Sequence, residues 1–286
     1  MKCTFYDLNE HRTSPTIDLL FRQWTPGDER VVIFSPHDDD GVLGAGHLIQ
    51  VVRASGGEAF VVVFCQGNAG YTTIGERSTI VDVRKDETLK AYEILGLDAK
   101  HILRMEYSDF SVLGHVGWIL PTGELGTFPR MITLLRSIGA TRLVLPNQYR
   151  EHIDHEAVGR IGAYDGPQAG DPILADWGTG VGIRSFLEYA VWGDFSPEDA
   201  LIQGRDKNIR ANRALKVPFD AEEKVLAAIG AFNSQQKTIA SLTSARQYRR
   251  VADGVLELYI EFDPRPILNF FPYVKLVETL DNSNQK

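Results

Sequence analysis

The 286-residue sequence predicts a layered α/β fold, Rossmann-like, with a mostly parallel sheet covered by helices on both faces. Three observations carry this expectation. Short runs such as Val31-Val-Ile-Phe34 are continuously apolar, as strands buried on both faces are. Longer stretches of helical periodicity separate them, the pattern of βαβ units. Chain breakers stand at the joints: Gly96 where a helix should end, and Pro146 directly after a strand.

Val31 to Phe34 is the first predicted strand, running into Ser35-Pro36-His37-Asp38-Asp39-Asp40, with a helix from about Gly41 to Ala54. Glu58 to Phe64 is the second strand, rich in Val and Phe. Arg77 to Leu95 reads as a long amphipathic helix, His101 to Met105 as a third strand, Phe128 to Ile138 as a helix and Arg142 to Leu145 as a fourth strand. Tyr164 to Gly182 is rich in Gly, Asp and Pro and predicts a surface loop. Arg184 to Trp192 predicts a strand, Glu222 to Gln236 a helix, and Val255 to Phe262 a half-buried strand with alternating Leu256, Leu258 and Ile260. Asn282 to Lys286 is a polar tail expected to fray. There is no internal repeat and no low-complexity tract.

Composition narrows the function classes. The chain carries 30 Lys and Arg against 38 Asp and Glu, a formal net charge of -8, which argues against a general binder of nucleic acid or membrane surfaces. Cys3 and Cys65 are far apart and lack metal-type spacing, so they read as reduced thiols of a cytoplasmic protein. No apolar run follows the N-terminal lysine as in a signal peptide, and none approaches the length of a membrane span.

In parallel sheets, ligands bind outside the C-terminal ends of the strands. Two such places carry His and Asp clusters. His37-Asp38-Asp39-Asp40 follows the first strand; adjacent carboxylates repel, and a divalent cation offsets that repulsion. Alone, this segment also reads as a solvated acidic turn capping the next helix. His152-Ile153-Asp154-His155 lies beyond the fourth strand and alone reads equally as a surface loop. Together the motifs supply two His and an Asp with a position left for water, the pattern of a catalytic and not a structural metal site.

These residues resemble a known family. Ser-Pro-His37-Asp-Asp39-Asp40-Gly-Val-Leu is similar to the first signature of PIG-L / LmbE-like deacetylases, and His152-x-Asp154-His155 to the second. Arg84-x-x-Glu87-x-x-x-Ala91-x-x-x-Leu95-Gly96 resembles the family's helix after the second strand, and Lys224 to Ser234-Gln235 its late helix. Asp38 and Gly41 stand where the family commonly has Pro and Glu. The resemblance implies one domain over residues 1–286, with a core of about 30–236 and a C-terminal extension of about 237–286. It implies Zn²⁺ held by His37, Asp40 and His155, with Fe²⁺ an alternative for the same ligand set. Asp39 is then the general base, and a protonated His152, oriented by Asp154, stabilises the oxyanion. The expected substrate is a small N-acetylated amino sugar or its conjugate, with Arg84 and Asp109 as candidate contacts. Trp118, Tyr149 and Trp177 are candidate stacking platforms. A homo-oligomer fits the family pattern.

Two other readings stand beside this one. The same site would serve hydrolysis of another small acyl amide or an ester, and a non-catalytic sugar-binding homologue would share the fold. A nucleotide-binding domain is disfavoured, because no glycine-rich phosphate loop follows the first strand.

Overall fold

Side chains from successive residues of a strand point to opposite faces, so an uninterrupted apolar strand needs a core on each side. Val31 and Ile33 are buried in one hydrophobic core, while Val32 and Phe34 are buried in the other. The computed structural model describes residues 1–265 and 267–283. Its strands are β1 (Thr4–Asp7), β2 (Arg12–Ser14), β3 (Arg30–Ser35), β4 (Glu58–Cys65), β5 (Ile102–Tyr107), β6 (Arg142–Pro146), β7 (Ser185–Tyr189), β8 (Arg213–Val217), β9 (Arg250–Val251) and β10 (Gly254–Phe262). Its α-helices are α1 (Asp40–Ala54), α2 (Ile80–Ile94), α3 (Thr127–Ile138), α4 (Ile153–Gln168), α5 (Pro197–Ile202), α6 (Phe219–Gly230), α7 (Gln236–Ala245) and α8 (Phe271–Ser283).

The strands form one sheet in the order β2-β1-β8-β10-β7-β6-β3-β4-β5, with β9 paired to β10. Strands β7-β6-β3-β4-β5 are mutually parallel, and the layered α/β architecture is the expected one. Residues of α1, α2 and α6 share the core on one face, and residues of α3 and α4 share the core on the other. Beyond β7 the pairing turns antiparallel through β10, β8, β1 and β2. Of these strands the sequence announces only β10; the others run for three to five residues, too short for a periodic signal.

Two expectations need correction. Tyr164 to Gln168 belongs to α4, and the irregular stretch begins only after it. The glycines that suggested a loop let this helix approach the sheet: a Cβ on Gly162 would lie 2.1 Å from Leu145 Cδ2. The single helix expected over Glu222 to Gln236 is two. Ser234 turns aside to donate from both its amide and its hydroxyl to Glu87, at 2.8 and 2.7 Å, so α6 ends at Gly230 and α7 starts at Gln236. At the C-terminus Asn282 and Ser283 close α8, none of whose described side chains is buried, and residues 284–286 of the expected tail lie outside the described residues.

Helix α1 is broken at Ala45, whose φ and ψ are -135° and 18°. The freed backbone groups are satisfied from the C-terminal part of the chain. Glu257 on β10 accepts from the amides of His47 and Leu48 at 3.2 and 2.9 Å, and Arg246 donates to the Leu43 carbonyl at 3.0 Å. His47 is a packed core histidine, its Nε2 2.7 Å from Glu222, which also receives two hydrogen bonds from Arg246. Burial disfavours the Glu222 carboxylate, but Arg246 and His47 outweigh it and hold its pKa at about 2, against an ordinary 4.5. The folded-state value lies below the unfolded one. This stabilisation is therefore complete above the unfolded value and is lost as pH falls through the folded one. Glu222→Gln should cost about 3 kcal/mol near neutrality and flatten the acid limb of the stability curve, as read by urea unfolding at about pH 7 and about pH 3. Equal acid sensitivity in both proteins would overturn this account.

Candidate metal centre and active site

From β3 the chain builds outward through β4 and β5, then crosses back to place β6 on the other side of β3. The strand order reverses between β3 and β6, and such a switch point opens a crevice at the strands' C-terminal ends. Both His/Asp motifs sit there. His37, Asp38 and Asp39 follow β3, and Asp40 opens α1; His152 caps the start of α4, which carries Asp154 and His155 after β6.

His37, Asp40 and His155 each offer a ligand atom within 4.8 Å of the others. Asp40 Oδ2 lies 3.1 Å from His37 Nδ1 and 3.0 Å from His155 Nε2. His155 is fully buried, and beyond this contact with Asp40 its Nε2 has no hydrogen-bond partner among the described residues. The other ring nitrogen, Nδ1, is 2.9 Å from Glu151 Oε2. Glu151 Oε1 is itself held by the amides of Val191, Trp192 and Gly193 at 2.9, 3.0 and 3.2 Å. A carboxylate on Nδ1 fixes the ring and leaves Nε2 as the electron-pair donor, the arrangement that orients a metal-ligating histidine.

The electrostatics agree with a cation site. Burial works against the Asp40 carboxylate, yet His155 and His37 hold it well below the usual range. Burial also disfavours the His155 imidazolium, but Asp40 and Glu151 push its pKa up to about 9. His37 is raised well above its ordinary value by Asp154 and Asp40, against the effect of burial. The carboxylates thus outweigh burial in holding positive charge on both rings, and a divalent ion displaces such protons when it binds. The donor set of two imidazoles and one carboxylate fits Zn²⁺ or Fe²⁺.

The neighbouring carboxylates face elsewhere. Asp38 is completely buried and points away from the ligand cluster: it accepts from Arg84 Nε at 2.8 Å, from Thr88 Oγ1 at 2.7 Å and from Arg104. Asp39 points into the cavity, 3.6 Å from Arg84 Nη2. Burial raises its pKa, against the pull of Arg84. Arg84, expected as a substrate contact, is therefore buried with its charge on two aspartates while still lining the cavity. Asp109 also lines it, and both its oxygens accept backbone amides, Gly67 and Ala69, each at 2.8 Å. Gly67 has φ +77°, and a Cβ there would lie 2.4 Å from Arg84, so this turn requires glycine.

His152 and Asp154 correct the expected pairing. Asp154 does not hold an imidazolium through its carboxylate, which lies 3.6 Å from His152 Nδ1. Its backbone amide donates to that nitrogen at 3.1 Å, as at a helix N-cap. Nδ1 is thus an acceptor, and burial together with His37 lowers the His152 pKa, so the ring is the neutral tautomer with the proton on Nε2. The Asp154 carboxylate instead takes the amide of Phe110 at 2.7 Å, fixing that residue at φ 63°, and lies 3.4 Å from His37 Nε2.

The cavity above these groups measures about 180 Å³. Its aromatic walls are Phe110, tilted against His152 with ring centroids 4.6 Å apart, and Trp192. Trp118 and Trp177 pack on each other at 5.5 Å, Tyr149 lies against Arg150, and none of the three lines this cavity. Glu151, Phe110 and Trp192 escaped the sequence reading. Glu151 lies four residues before His155, just ahead of the His152 cap of α4, and that spacing is the one signal that could have found it.

Residues 32–164 match the family model described as PIG-L, GlcNAc-PI de-N-acetylase. Over that span, just under half of the chain, the sequence is similar to the PIG-L family. No curated protein matches it in sequence. Among solved structures, N,N'-diacetylchitobiose deacetylase from Pyrococcus horikoshii is similar at 17% identity, with 86% of this chain and 88% of that one covered and a TM-score of 0.62. A conserved protein from Thermus thermophilus is similar at 21% identity, 84% and 96% coverage and a TM-score of 0.61. GalB, the 4-carboxy-2-hydroxymuconate hydratase of Pseudomonas putida, is similar at 17% identity, 84% and 99% coverage and a TM-score of 0.59. At these identities the likeness is one of fold.

Within the matched segment, Asp38 acts as the buried counter-charge that binds the β3–α1 turn to α2 and β5. Asp38→Ala leaves Arg84 and Arg104 without it and should cost about 3–5 kcal/mol of stability, with Asp38→Asn in between. Chemical denaturation measures both, and a wild-type midpoint for Asp38→Ala would refute the assignment.

Proposed function

We propose that the chain is a divalent-metal-dependent hydrolase that removes an acetyl or similarly small acyl group from an N-acetylated amino sugar or its conjugate. The observation that carries this reading is the convergence of His37, Asp40 and the buried His155, each offering a ligand atom within 4.8 Å of the others, with His37 and Asp40 lining an open cavity. The match of residues 32–164 to a family described as a de-N-acetylase supports the reaction class. The likeness in fold to the diacetylchitobiose deacetylase of Pyrococcus horikoshii supports an amino-sugar substrate.

His37, Asp40 and His155 would hold the ion, with Zn²⁺ first and Fe²⁺ second. When bound, such an ion supplies Lewis acidity to water and to the amide carbonyl. Asp39, adjacent in the chain and facing the cavity, takes the proton from the attacking water and returns it to the leaving nitrogen. Its raised pKa suits a group that must hold that proton between the two steps. His152 presents Nε2–H to the oxygen where negative charge develops, with Nδ1 pinned by the Asp154 amide. Arg84 positions Asp39 by its charge. Phe110 and Trp192 offer apolar faces to a sugar ring at the cavity wall.

A second reading has a specific observation behind it: a hydratase shares this fold. Acetate release by the metal-loaded protein across a panel of N-acetylated sugars, with acetyl esters alongside, separates an amide hydrolase from an esterase and from a hydratase. Turnover of N-acetylated sugars is expected; none on any panel member, with metal bound, would overturn the proposal.

Asp39→Ala should lower kcat by about 10²–10⁴-fold with metal content unchanged, whereas His155→Ala should lose metal as well. Elemental analysis alongside acetate release checks both, and near-normal turnover in Asp39→Ala would sink the base assignment. Glu151→Ala frees the His155 ring and the 191–193 backbone together, and should weaken metal affinity about 10–100-fold. Competition with a chelator measures that loss.

A further inference from the structure

Behind the kink in α1 lies a second cavity of about 280 Å³. Two short pieces of backbone separate it from the candidate active site. Leu43 and Trp192 line the active-site cavity, and the next residues, Gly44 and Gly193, line this one. Phe195, Leu256 and Leu258 give it apolar walls, and Arg249 is the one cationic side chain in its lining.

The charges around Arg249 are already committed to other partners. Glu222 is held by Arg246 at 2.8 and 2.6 Å and by His47 at 2.7 Å. Glu257 accepts from two α1 amides and from the Tyr259 hydroxyl. Asp194 pairs with Arg210 at 3.5 Å. Among the described residues no carboxylate lies within ion-pair distance of Arg249, whose one hydrogen bond is a long contact of 3.4 Å from Nη1 to the Leu43 carbonyl. A half-buried guanidinium with most of its donors unused, facing a cavity with apolar walls, is a site for an anion.

We propose that this cavity binds a monocarboxylate with a short apolar body, its carboxylate on Arg249 and its chain against Phe195, Leu256 and Leu258. The guanidinium fork matches the two oxygens of a carboxylate. Charge sets the class: Asp194 and Glu257 also line the cavity, so a ligand with a single negative charge meets less like-charge repulsion beside Arg249 than a phosphate dianion would. The volume lies just below the roughly 300–1,000 Å³ of sites for drug-sized ligands, which suits a short acid. This inference is independent of the hydrolase reading.

The test is hexanoate binding to the full chain, by thermal shift and isothermal titration, with inorganic phosphate as the comparison anion. Hexanoate should raise Tm saturably, and phosphate should not at equal concentration. Arg249→Ala should weaken hexanoate about tenfold or more. Arg249→Lys, which keeps the charge without the fork, should lose part of the affinity and decides the matter if the alanine variant does not fold. His37→Ala, in the other cavity, should stay within about twofold of wild type. Absence of saturable binding, unchanged affinity in both Arg249 variants, phosphate binding as tight as hexanoate, or loss of binding in His37→Ala would each overturn the proposal.

Discussion

Three consecutive aspartates are buried in one turn, with relative exposures of 0%, 7% and 2% for Asp38, Asp39 and Asp40, and the surrounding architecture is arranged to meet that charge. Buried carboxylates without partners cost several kcal/mol each. The turn separates them by direction. Asp38 goes to Arg84, Arg104 and Thr88, Asp40 goes to His37 and His155, and Asp39 is left with a distant Arg84 and an open cavity. Helix α2 and strand β5 thus serve the first aspartate, while α4 serves the third. The middle one, least compensated, is the one whose pKa rises.

The C-terminal part of the chain meets a second constraint in the same helix. Asp40 can face His155 only because α1 starts at the crevice, and α1 is broken one turn later at Ala45. A broken helix exposes amides and carbonyls that a buried environment must satisfy. Glu257 takes the amides of His47 and Leu48, and Arg246 takes the carbonyl of Leu43. Both come from beyond residue 236, from the segment after α7 and from β10. The antiparallel half of the sheet therefore reaches the helix that opens with Asp40 through hydrogen bonds.

Much of the parallel half was legible in the sequence, because burial on both faces leaves an unmistakable run such as Val31 to Phe34, and because a switch point lies where two motif-bearing strands end. His37, Asp40 and His155 were legible as residue types at a strand end, and the structure brings their ligand atoms together. What was not legible is direction. Sequence spacing could not say that Asp38 turns away, or that Asp154 meets His152 through its amide and not its carboxylate. It could not tell a glycine-rich loop from a glycine-faced helix, since Gly162 serves packing against Leu145. Phe110 and Trp192 were missed for the same reason: they reach the cavity only through backbone fixed by Asp154 and Glu151, contacts about 40 residues distant in sequence.

Two carboxylates, Asp154 and Glu151, carry the fine geometry of the site. Each ties a histidine of the crevice to a loop that forms its wall: Asp154 joins His37 to the Phe110 turn, and Glu151 joins His155 to residues 191–193. A wall residue cannot shift without disturbing the ring that shares its carboxylate. The fold alone does not select the reaction, since a hydratase adopts a similar one. Selection must come from the groups at the cavity floor. On the proposed reading, an acceptor carboxylate with a raised pKa and a neutral imidazole offering one N–H, both beside a candidate cation site, would form the pair that water attack on an acyl carbon needs: one group to take a proton, the other to meet the charge that develops.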